Sequence, residues 1–183
     1  MSGEGKSFVA LNLGHIISLS GKKVLLMELD LRKPGLSVKL NLGVGTGYTD
    51  YIIDNKTDID SLIRPLAIND NLFLMGSGPL PPNPPETLMS SRTTDLISEL
   101  RERFDYIIID APPIGIVTDA QLLADHVDMC LYLVRQKYTT KDQLSIVQDL
   151  YVSKKMKKIA IVVNDIKASK GYGYGYGYGA YGS

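Results

Sequence analysis

The sequence predicts an α/β domain in which helices flank both faces of a mostly parallel sheet. Short runs at 24–30 and 106–110 are apolar at consecutive positions until their acidic ends, as in strands that are covered on both faces. Segments with helical periodicity separate these runs, which is the arrangement of parallel strands joined by crossover helices. At 183 residues, the chain is long enough for one domain with a full core.

The predicted elements follow one another along the chain. Residues 7–20 predict a helix whose apolar side chains, including Phe8, Ile16 and Leu19, are heavily buried, and Gly21 ends this helix. The proline-rich segment 80–85 is expected to exclude helix, because proline lacks a donor and restrains the residue before it. The remaining strands are predicted at 71–75, 127–135 and 158–163, and the remaining helices at 48–54, 58–64, 85–103, 119–125 and 140–153.

The composition excludes several classes of function. Twenty Lys and Arg residues balance twenty Asp and Glu residues, so no net charge favours nucleic acid as a partner. Cys130 is the single cysteine, so a disulfide scaffold is excluded, and we expect it in the core. His15 and His126 are isolated and offer no zinc-ligand spacing. The sequence shows neither a signal peptide nor an apolar run of membrane-spanning length, so a cytoplasmic location is expected.

The chain opens inside a phosphate-binding loop. Residues 1–7 read M-S-G-E-G-K-S, and the first glycine of the loop would precede Met1, so the strand that leads into such a loop is expected to be missing here. Glycines let backbone N–H groups approach phosphate, the lysine reaches the β- and γ-phosphates, and the hydroxyl ligates Mg²⁺. The expected nucleotide contacts are Ser2, Gly3, Glu4, Gly5, Lys6, Ser7 and Phe8, at the N-terminus of the following helix.

Acidic residues end two of the predicted strands. Glu28 and Asp30 are two residues apart in L-L-M-E-L-D-L-R-K-P, so their side chains point to one face of the strand end. Asp110 ends the strand I-I-I-D, where an aspartate commonly joins the loop hydroxyl at Mg²⁺. Ligands bind beyond the carboxyl ends of strands in open α/β sheets. We therefore expect Ser7, Asp30 and Asp110 at the metal, and either Glu28 or Asp30 as the group that activates a nucleophile.

Two further features complete the pattern. Asn164 ends the last strand, where it could contact adenine or simply form a turn. Residues 171–183 alternate glycine with tyrosine, a low-complexity composition that predicts a flexible tail. The expected organisation is thus a P-loop domain over 1–168 and a tyrosine-rich tail over 169–183.

In the order in which they occur, these motifs resemble the cytoplasmic catalytic domain of bacterial tyrosine kinases, the P-loop kinases of capsule and exopolysaccharide export. The resemblance rests on S-G-E-G-K-S, on L-L-M-E-L-D-L-R-K-P, on I-I-I-D-A-P-P and on the loop G-P-L-P-P-N-P-P-E, and it covers nearly the whole chain. It implies ATP and Mg²⁺ as cofactors, with Lys6, Glu28, Asp30 and Asp110 as catalytic residues. It also implies the fold of partitioning ATPases, with the first strand missing.

The same resemblance implies a substrate and partners. The tail would be the autophosphorylation substrate at Tyr172, Tyr174, Tyr176, Tyr178 and Tyr181. The intact protein would form a homo-oligomeric ring, in which the tail of one subunit enters the site of its neighbour. A transmembrane activator, fused upstream or separate, would hold the domain at the inner face of the inner membrane.

One departure from the family pattern concerns Glu28, which stands where the family usually has aspartate and has one more methylene. Two alternatives share parts of the pattern. One is a partitioning or division-site ATPase, although such enzymes have a lysine at the position of Met1. The other is a regulator of polysaccharide chain length that binds ATP without catalysing transfer.

Overall fold

The computed structural model describes residues 3–43, 45–114, 119–156 and 158–167. The strands in these ranges are β1 (Val24–Glu28), β2 (Ile63–Pro65), β3 (Leu72–Met75), β4 (Tyr106–Asp110), β5 (Cys130–Arg135) and β6 (Ile159–Asn164). The described α-helices are α1 (Lys6–Leu19), α2 (Leu36–Lys39), α3 (Tyr48–Ile53), α4 (Pro84–Leu88), α5 (Ser91–Arg103), α6 (Asp119–Leu122) and α7 (Lys141–Val152). Two 3₁₀ turns lie at Ile59–Leu62 and Ala124–His126.

The strands form two sheets. Four of them lie in the order β2-β3-β1-β4, and β5 pairs with β6 in a second sheet. Strand β1 is central and runs parallel to both neighbours, with Val24 opposite Leu72 on one side and Tyr106 on the other. Only β2, at the edge, is antiparallel among the described strands. The parallel pairing places the carboxyl ends of β1 and β4 side by side, and those of β5 and β6 likewise.

Every residue of β1 is buried, because helices cover both faces of the four-stranded sheet. Leu25 and Met27 point to one face, where they pack in a cluster with Leu96 and Leu100 of α5. Val24 and Leu26 point to the other face and pack against α1 through Leu11 and Ile17. The predicted α/β class, with a mostly parallel sheet between helices, is confirmed.

The burial predicted for α1 is wrong in part. Phe8, Ile16 and Leu19 are 57%, 65% and 64% exposed. The residues that α1 buries are instead the small Ala10, Gly14 and Ser18, spaced four apart along the face toward the sheet. A Cβ at Gly14 would lie 2.7 Å from Leu26 Cδ2. The helix therefore lies too close to the sheet for large side chains to fit between them.

Local predictions failed where tertiary contacts decide the structure. Residues 63 and 64, predicted as the end of the helix 58–64, belong instead to strand β2, because they pair with β3. Helix α4 begins at Pro84, although 80–85 was expected to exclude helix; the missing N–H of proline costs nothing in a first turn. The predicted helix 85–103 is two helices, and Ser90 caps the second by accepting from Arg92 N at 3.3 Å.

The two sheets meet near the phosphate-binding loop. Within the described residues, β4 pairs with β1 alone and β5 with β6 alone, so β4 and β5 each have one edge without a partner strand. The expectation that a strand leading into the loop is missing from the sheet stays a prediction.

Cys130, expected in the core, is half-buried at the start of β5.

The close approach of α1 to the sheet can be tested with Gly14→Val. The added side chain would overpack the contact with Leu26, so we expect a loss of about 1–3 kcal/mol in the free energy of unfolding. Ile16→Val on the exposed face of the same helix is the control, with an expected change within about 0.5 kcal/mol. Urea denaturation followed by circular dichroism measures both, and equal stability of the two variants would contradict the close approach.

Candidate active site

Residues 3–7 form a tight loop that runs directly into the N-terminus of α1. Gly3 and Gly5 have φ angles of 120° and 96°, in the left-handed region that favours glycine. Helix α1 begins at Lys6, and no side chain of the described residues caps it. Unpaired N–H groups at such a helix end attract anions. The loop therefore has the backbone form expected of a phosphate site, while Ser2 lies outside the described residues.

The lysine of the loop is paired with an acid of the same loop. Lys6 Nζ lies 3.1 Å from Glu4 Oε2. The Glu4 side chain is 8% exposed and that of Lys6 27% exposed, and Lys6 lines the cleft, so a nearly buried carboxylate is paired with a lysine that faces the cleft. The predicted nucleotide contact Glu4 thus reaches Lys6 with its side chain. A phosphate entering the loop would compete with Glu4 for this ammonium group.

The loop is anchored from the second sheet. Arg135 Nη1 donates to the Gly3 carbonyl at 3.0 Å, and Asn164 Nδ2 donates to the Glu4 carbonyl at 2.8 Å. Arg135 and Asn164 are register partners at the carboxyl ends of β5 and β6. The amide nitrogen of Asn164, for which adenine contact was one prediction, therefore holds the loop in this structure. Tyr138 also closes on the loop, since a Cβ at Gly3 would lie 3.1 Å from its hydroxyl oxygen.

The sequence motifs did not predict a role for Arg135, although its position at a strand end was typical of a site residue. It ends a strand that was predicted, on the edge of the sheet where the other site residues were expected. Its guanidinium also bonds Asp165 Oδ2 through Nε at 3.0 Å, which orients it toward Gly3.

Asp110 lies at the centre of the site, at the end of β4. The residue is 4% exposed, and its carboxylate accepts a hydrogen bond from the Ser7 side chain. Burial raises the pKa of Asp110 above its ordinary value, against the opposing effects of Ser7 and Lys6. A Cβ at Gly35 would lie 2.5 Å from Ser7 Oγ. The segment after β1 thus closes on the Ser7–Asp110 pair.

Asp30 reaches the site from β1. The backbone N–H groups of Leu29 and Asp30 both donate to the Asp110 carbonyl, at 2.9 and 3.1 Å. The Asp30 carboxylate accepts from Lys33 N at 3.1 Å. Asp30 and Asp110 line one cleft with Lys6 and Ser7, as their order in the sequence predicted.

This cleft, of about 360 Å³, is basic at its rim. Phe8 lines it beside the loop, and Pro112 and Pro113 line it after β4. Its further cations are Arg32, Lys33 and Lys39, to which the sequence motifs assigned no role. Arg32 and Lys33 lie in the segment between β1 and α2, and Lys39 lies on α2, so this part of the chain supplies much of the wall.

Glu28 lies apart from the cleft-lining residues. Its side chain is fully buried, and it accepts hydrogen bonds from Leu36 N at 2.6 Å, from Ser37 N at 3.0 Å and from the Ser37 hydroxyl. Both of its oxygens are therefore engaged by the start of α2. This geometry argues against the predicted role of Glu28 as the group that contacts a nucleophile, because a substrate hydroxyl has no access to a buried carboxylate.

The residues present fit Mg²⁺. A hydroxyl and two carboxylates face the cleft beside a phosphate-type loop, and these are the hard oxygen donors that the ion prefers. In the described part of the chain, no cluster of three or more His, Cys, Asp or Glu residues forms a metal site of its own. A partial protein shell suits Mg²⁺, which keeps water and substrate phosphates as ligands. Ser7, Asp30 and Asp110 would hold it.

Comparison with known proteins agrees with this geometry. The model of the CobQ/CobB/MinD/ParA nucleotide binding domain matches residues 1–173. The tyrosine-protein kinase YwqD of Bacillus subtilis is 36% identical over 169 residues, which are 92% of this chain and 70% of that protein. The chain belongs to the family of bacterial tyrosine kinases. The tyrosine-protein kinase wzc of Salmonella typhi is 35% identical over 92% of this chain, but over only 23% of its own length.

The solved structures agree as well. The crystal structure of the chimerical protein CapA2B2 superposes with a TM-score of 0.85 at 30% identity, covering 91% of this chain and 73% of that one. The predicted family and the predicted P-loop fold are thereby confirmed. The family model itself includes MinD and ParA proteins, so it is the kinase relatives that separate this chain from partitioning ATPases.

Competition between Glu4 and phosphate predicts the behaviour of Glu4→Gln. Glutamine keeps the shape of the side chain but removes the charge that holds Lys6, so we expect the affinity for Mg²⁺-ADP to rise about three- to tenfold, roughly 1 kcal/mol. Isothermal titration calorimetry measures this, with Glu86→Gln on the exposed side of α4 as the control. Unchanged or weaker binding by Glu4→Gln would show that the pair does not oppose phosphate.

Burial of Asp110 predicts a pH dependence of stability. Because its pKa is raised in the folded chain, its contribution to stability is present at low pH and is lost as the pH rises through the raised value. Asp110→Asn should therefore gain melting temperature over the native chain between about pH 4 and pH 7, without nucleotide or Mg²⁺, while it loses Mg²⁺-dependent nucleotide binding.

Asp105→Asn is the matched control for that experiment. A hydrogen bond from the Lys23 backbone lowers the pKa of the exposed Asp105, so its contribution to stability is present at neutral pH and is lost in acid. The two variants should therefore differ from the native chain with opposite signs at neutral pH in differential scanning calorimetry. The same sign for both would contradict the burial argument for Asp110.

Proposed function

We propose that this domain transfers the γ-phosphoryl group of ATP to tyrosine hydroxyls, including those of its own tail at Tyr172, Tyr174, Tyr176, Tyr178 and Tyr181, which lie outside the described residues. The observation that carries the proposal is the single cleft shared by the phosphate-type loop, the Ser7–Asp110 pair and Asp30. Membership of the bacterial tyrosine-kinase family supports the same reaction.

Positioning accounts for most of the catalysis, because phosphoryl transfer passes through a loose transition state. The loop amides and Lys6 bind the β- and γ-phosphates at the start of α1. Ser7, Asp30 and Asp110 would hold Mg²⁺, which would neutralise charge on the phosphates. Phe8 shields one side of the cleft, and Arg135 and Asn164 fix the loop from behind.

The acceptor hydroxyl needs a carboxylate, since the ordinary pKa of tyrosine is about 10 and the group enters protonated. Glu28 and Asp30 were both candidates for this role. We assign it to Asp30, because its carboxylate lines the cleft while that of Glu28 is enclosed by α2. Asp30 orients the hydroxyl and accepts its proton as the oxygen–phosphorus bond forms and ADP leaves.

The tail favours transfer between subunits. A flexible chain of thirteen glycine-rich residues would have an r.m.s. span of roughly 20 Å and an extended reach of about 45 Å, which would be enough to enter the site of a neighbouring subunit in a ring. Five phosphotyrosines add on the order of −8 to −10 charges to a chain of zero net charge. Their repulsion would loosen the ring, most of all at low ionic strength.

Attachment to a membrane would come from outside this domain. Across the described ranges, no helix has both the length and the apolar character needed to cross a bilayer. The wzc protein is several times longer than the matched region, whereas YwqD is mostly matched. These lengths support a transmembrane activator that is fused in some relatives and separate in others. We place the domain at the inner face of the inner membrane, where it would regulate export of capsular or extracellular polysaccharide.

The proposal is tested with Lys6→Met and radiolabelled ATP in the full-length protein. We expect loss of tyrosine labelling with the fold retained, because Lys6 faces the cleft and contributes a charge to the phosphates. Lys22→Met, a half-exposed lysine beside Asp105, is the control and should label normally.

A second variant locates the acceptor. Replacing the five tail tyrosines with phenylalanine should remove most of the label, whereas Tyr106→Phe should not.

Labelling that persists in Lys6→Met contradicts the role of the loop. ATP binding without any labelling of the native protein indicates instead a regulator that binds ATP without transfer, and turnover to free phosphate indicates an ATPase.

A further inference from the structure

The Glu28 carboxylate accepts hydrogen bonds from the first two residues of helix α2. Leu36 N donates to Oε1 at 2.6 Å, Ser37 N donates to the same oxygen at 3.0 Å, and the Ser37 hydroxyl donates to Oε2. The residue is fully buried, and Ser37 is 7% exposed. Hydrogen bonds to an ionised group are stronger than neutral ones, and a negative charge is favoured at the N-terminus of a helix. A side chain from the central strand thus fixes where α2 begins.

These contacts close a segment that carries site residues. The segment 29–35 leaves β1 immediately after Glu28 and returns to it at Leu36 and Ser37. Its residues Asp30, Arg32, Lys33 and Gly35 line the cleft. At its other end, Leu29 and Asp30 bond the Asp110 carbonyl through their N–H groups. The segment is therefore held at both ends, by the carbonyl of β4 and by the carboxylate of β1.

The length of the Glu28 side chain matters for this closure. Aspartate would withdraw the carboxylate by about 1.5 Å, the length of one carbon–carbon bond. Donor distances of 2.6 and 3.0 Å would then exceed hydrogen-bonding range unless α2 moved. Glutamine, in contrast, keeps an oxygen for the two backbone donors, and its amide can donate to Ser37 Oγ, which can also accept.

We propose that Glu28 is a positioning residue for phosphoryl transfer: through Leu36 and Ser37 it sets the conformation of segment 29–35, and thereby the placement of Asp30. It exchanges no proton with the substrate. This inference rests on the proposed kinase function, but it makes an independent statement about Mg²⁺-nucleotide binding, because Asp30 and Gly35 also border the metal site.

The variants Glu28→Gln and Glu28→Asp distinguish whether Glu28 acts as a positioning residue or as a general base. A positioning role predicts that Glu28→Gln retains phosphotransfer within about threefold of native. It also predicts that Glu28→Asp loses about tenfold or more, since bonds to a charged acceptor are broken. A general base predicts the reverse order, with Glu28→Gln losing about a hundredfold and Glu28→Asp retaining activity. The measurement is kcat and KM for tyrosine labelling in the full-length protein, with circular dichroism to confirm folding.

Ser37→Ala provides a variant that leaves Glu28 in place. It removes one of the three donors, so we expect a smaller loss of kcat than in Glu28→Asp, with the KM for the tyrosine substrate little changed. Ser61→Ala, whose hydroxyl is exposed and bonds locally to the Asp58 carbonyl, is the matched control and should leave kcat unchanged. Native kcat in Ser37→Ala together with native kcat in Glu28→Asp would overturn the proposal even if Glu28→Gln failed to fold.

Nucleotide binding distinguishes failure of this inference from failure of the proposed function. Calorimetry with Mg²⁺-ADP requires no tyrosine transfer. The positioning role predicts weaker Mg²⁺-ADP binding by about tenfold in Glu28→Asp and binding within about threefold of native in Glu28→Gln. Native affinity in Glu28→Asp would overturn the inference, whether or not the protein phosphorylates tyrosine.

Discussion

The parallel pairing of β1 with β4 is the interaction on which the site depends. It sets Glu28 opposite Asp110 at the carboxyl edge of the sheet, and the Asp110 carbonyl then accepts two N–H groups of the chain leaving β1. The Asp110 side chain meets Ser7 at the start of α1. One residue thus joins the central strand, the phosphate-type loop and the segment that carries Asp30. The desolvation that this junction imposes on a carboxylate would be relieved by a bound cation.

The loop also bridges the two sheets. Its Ser7 belongs to the junction with β4, while the carbonyls of Gly3 and Glu4 are held by Arg135 and Asn164 at the ends of β5 and β6. Ordering of the loop around a ligand would therefore tighten contacts between sheets that share no strand pairing in the described chain. Loops held by side chains from a scaffold are well suited to binding, because the scaffold fixes their geometry without stiffening every residue.

Local patterns in the sequence predicted the strands β1 and β4, the loop at the start of α1, and the convergence of Lys6, Ser7, Asp30 and Asp110. These features depend on apolar runs and on the rule that strand ends meet at one edge. Other features depend on distances between elements that are far apart in the sequence. The exposure of Phe8 follows from how closely α1 approaches the sheet, and no periodicity within the helix records that distance.

The same reasoning explains the two site residues whose contacts differ from expectation. Glu28 and Asp30 are equivalent in a two-residue alternation, yet one is enclosed by a helix that begins eight residues later and the other faces the cleft. Asn164 ends a strand as predicted, but its partner lies 160 residues away in the loop. The roles of Glu28 and Asn164 depend on which distant segment reaches them, and a single sequence does not specify that.

The Lys6–Glu4 pair gives the resting domain a way to discriminate between anions. With its lysine neutralised by a neighbouring acid, the loop attracts a small singly charged anion only weakly, despite its aligned N–H groups. A ligand that brings several negative charges and its own counterion can displace Glu4, because it offers Lys6 a denser charge and offers Asp110 a cation in return. Abundant chloride or bicarbonate would then compete poorly with a polyphosphate for the loop.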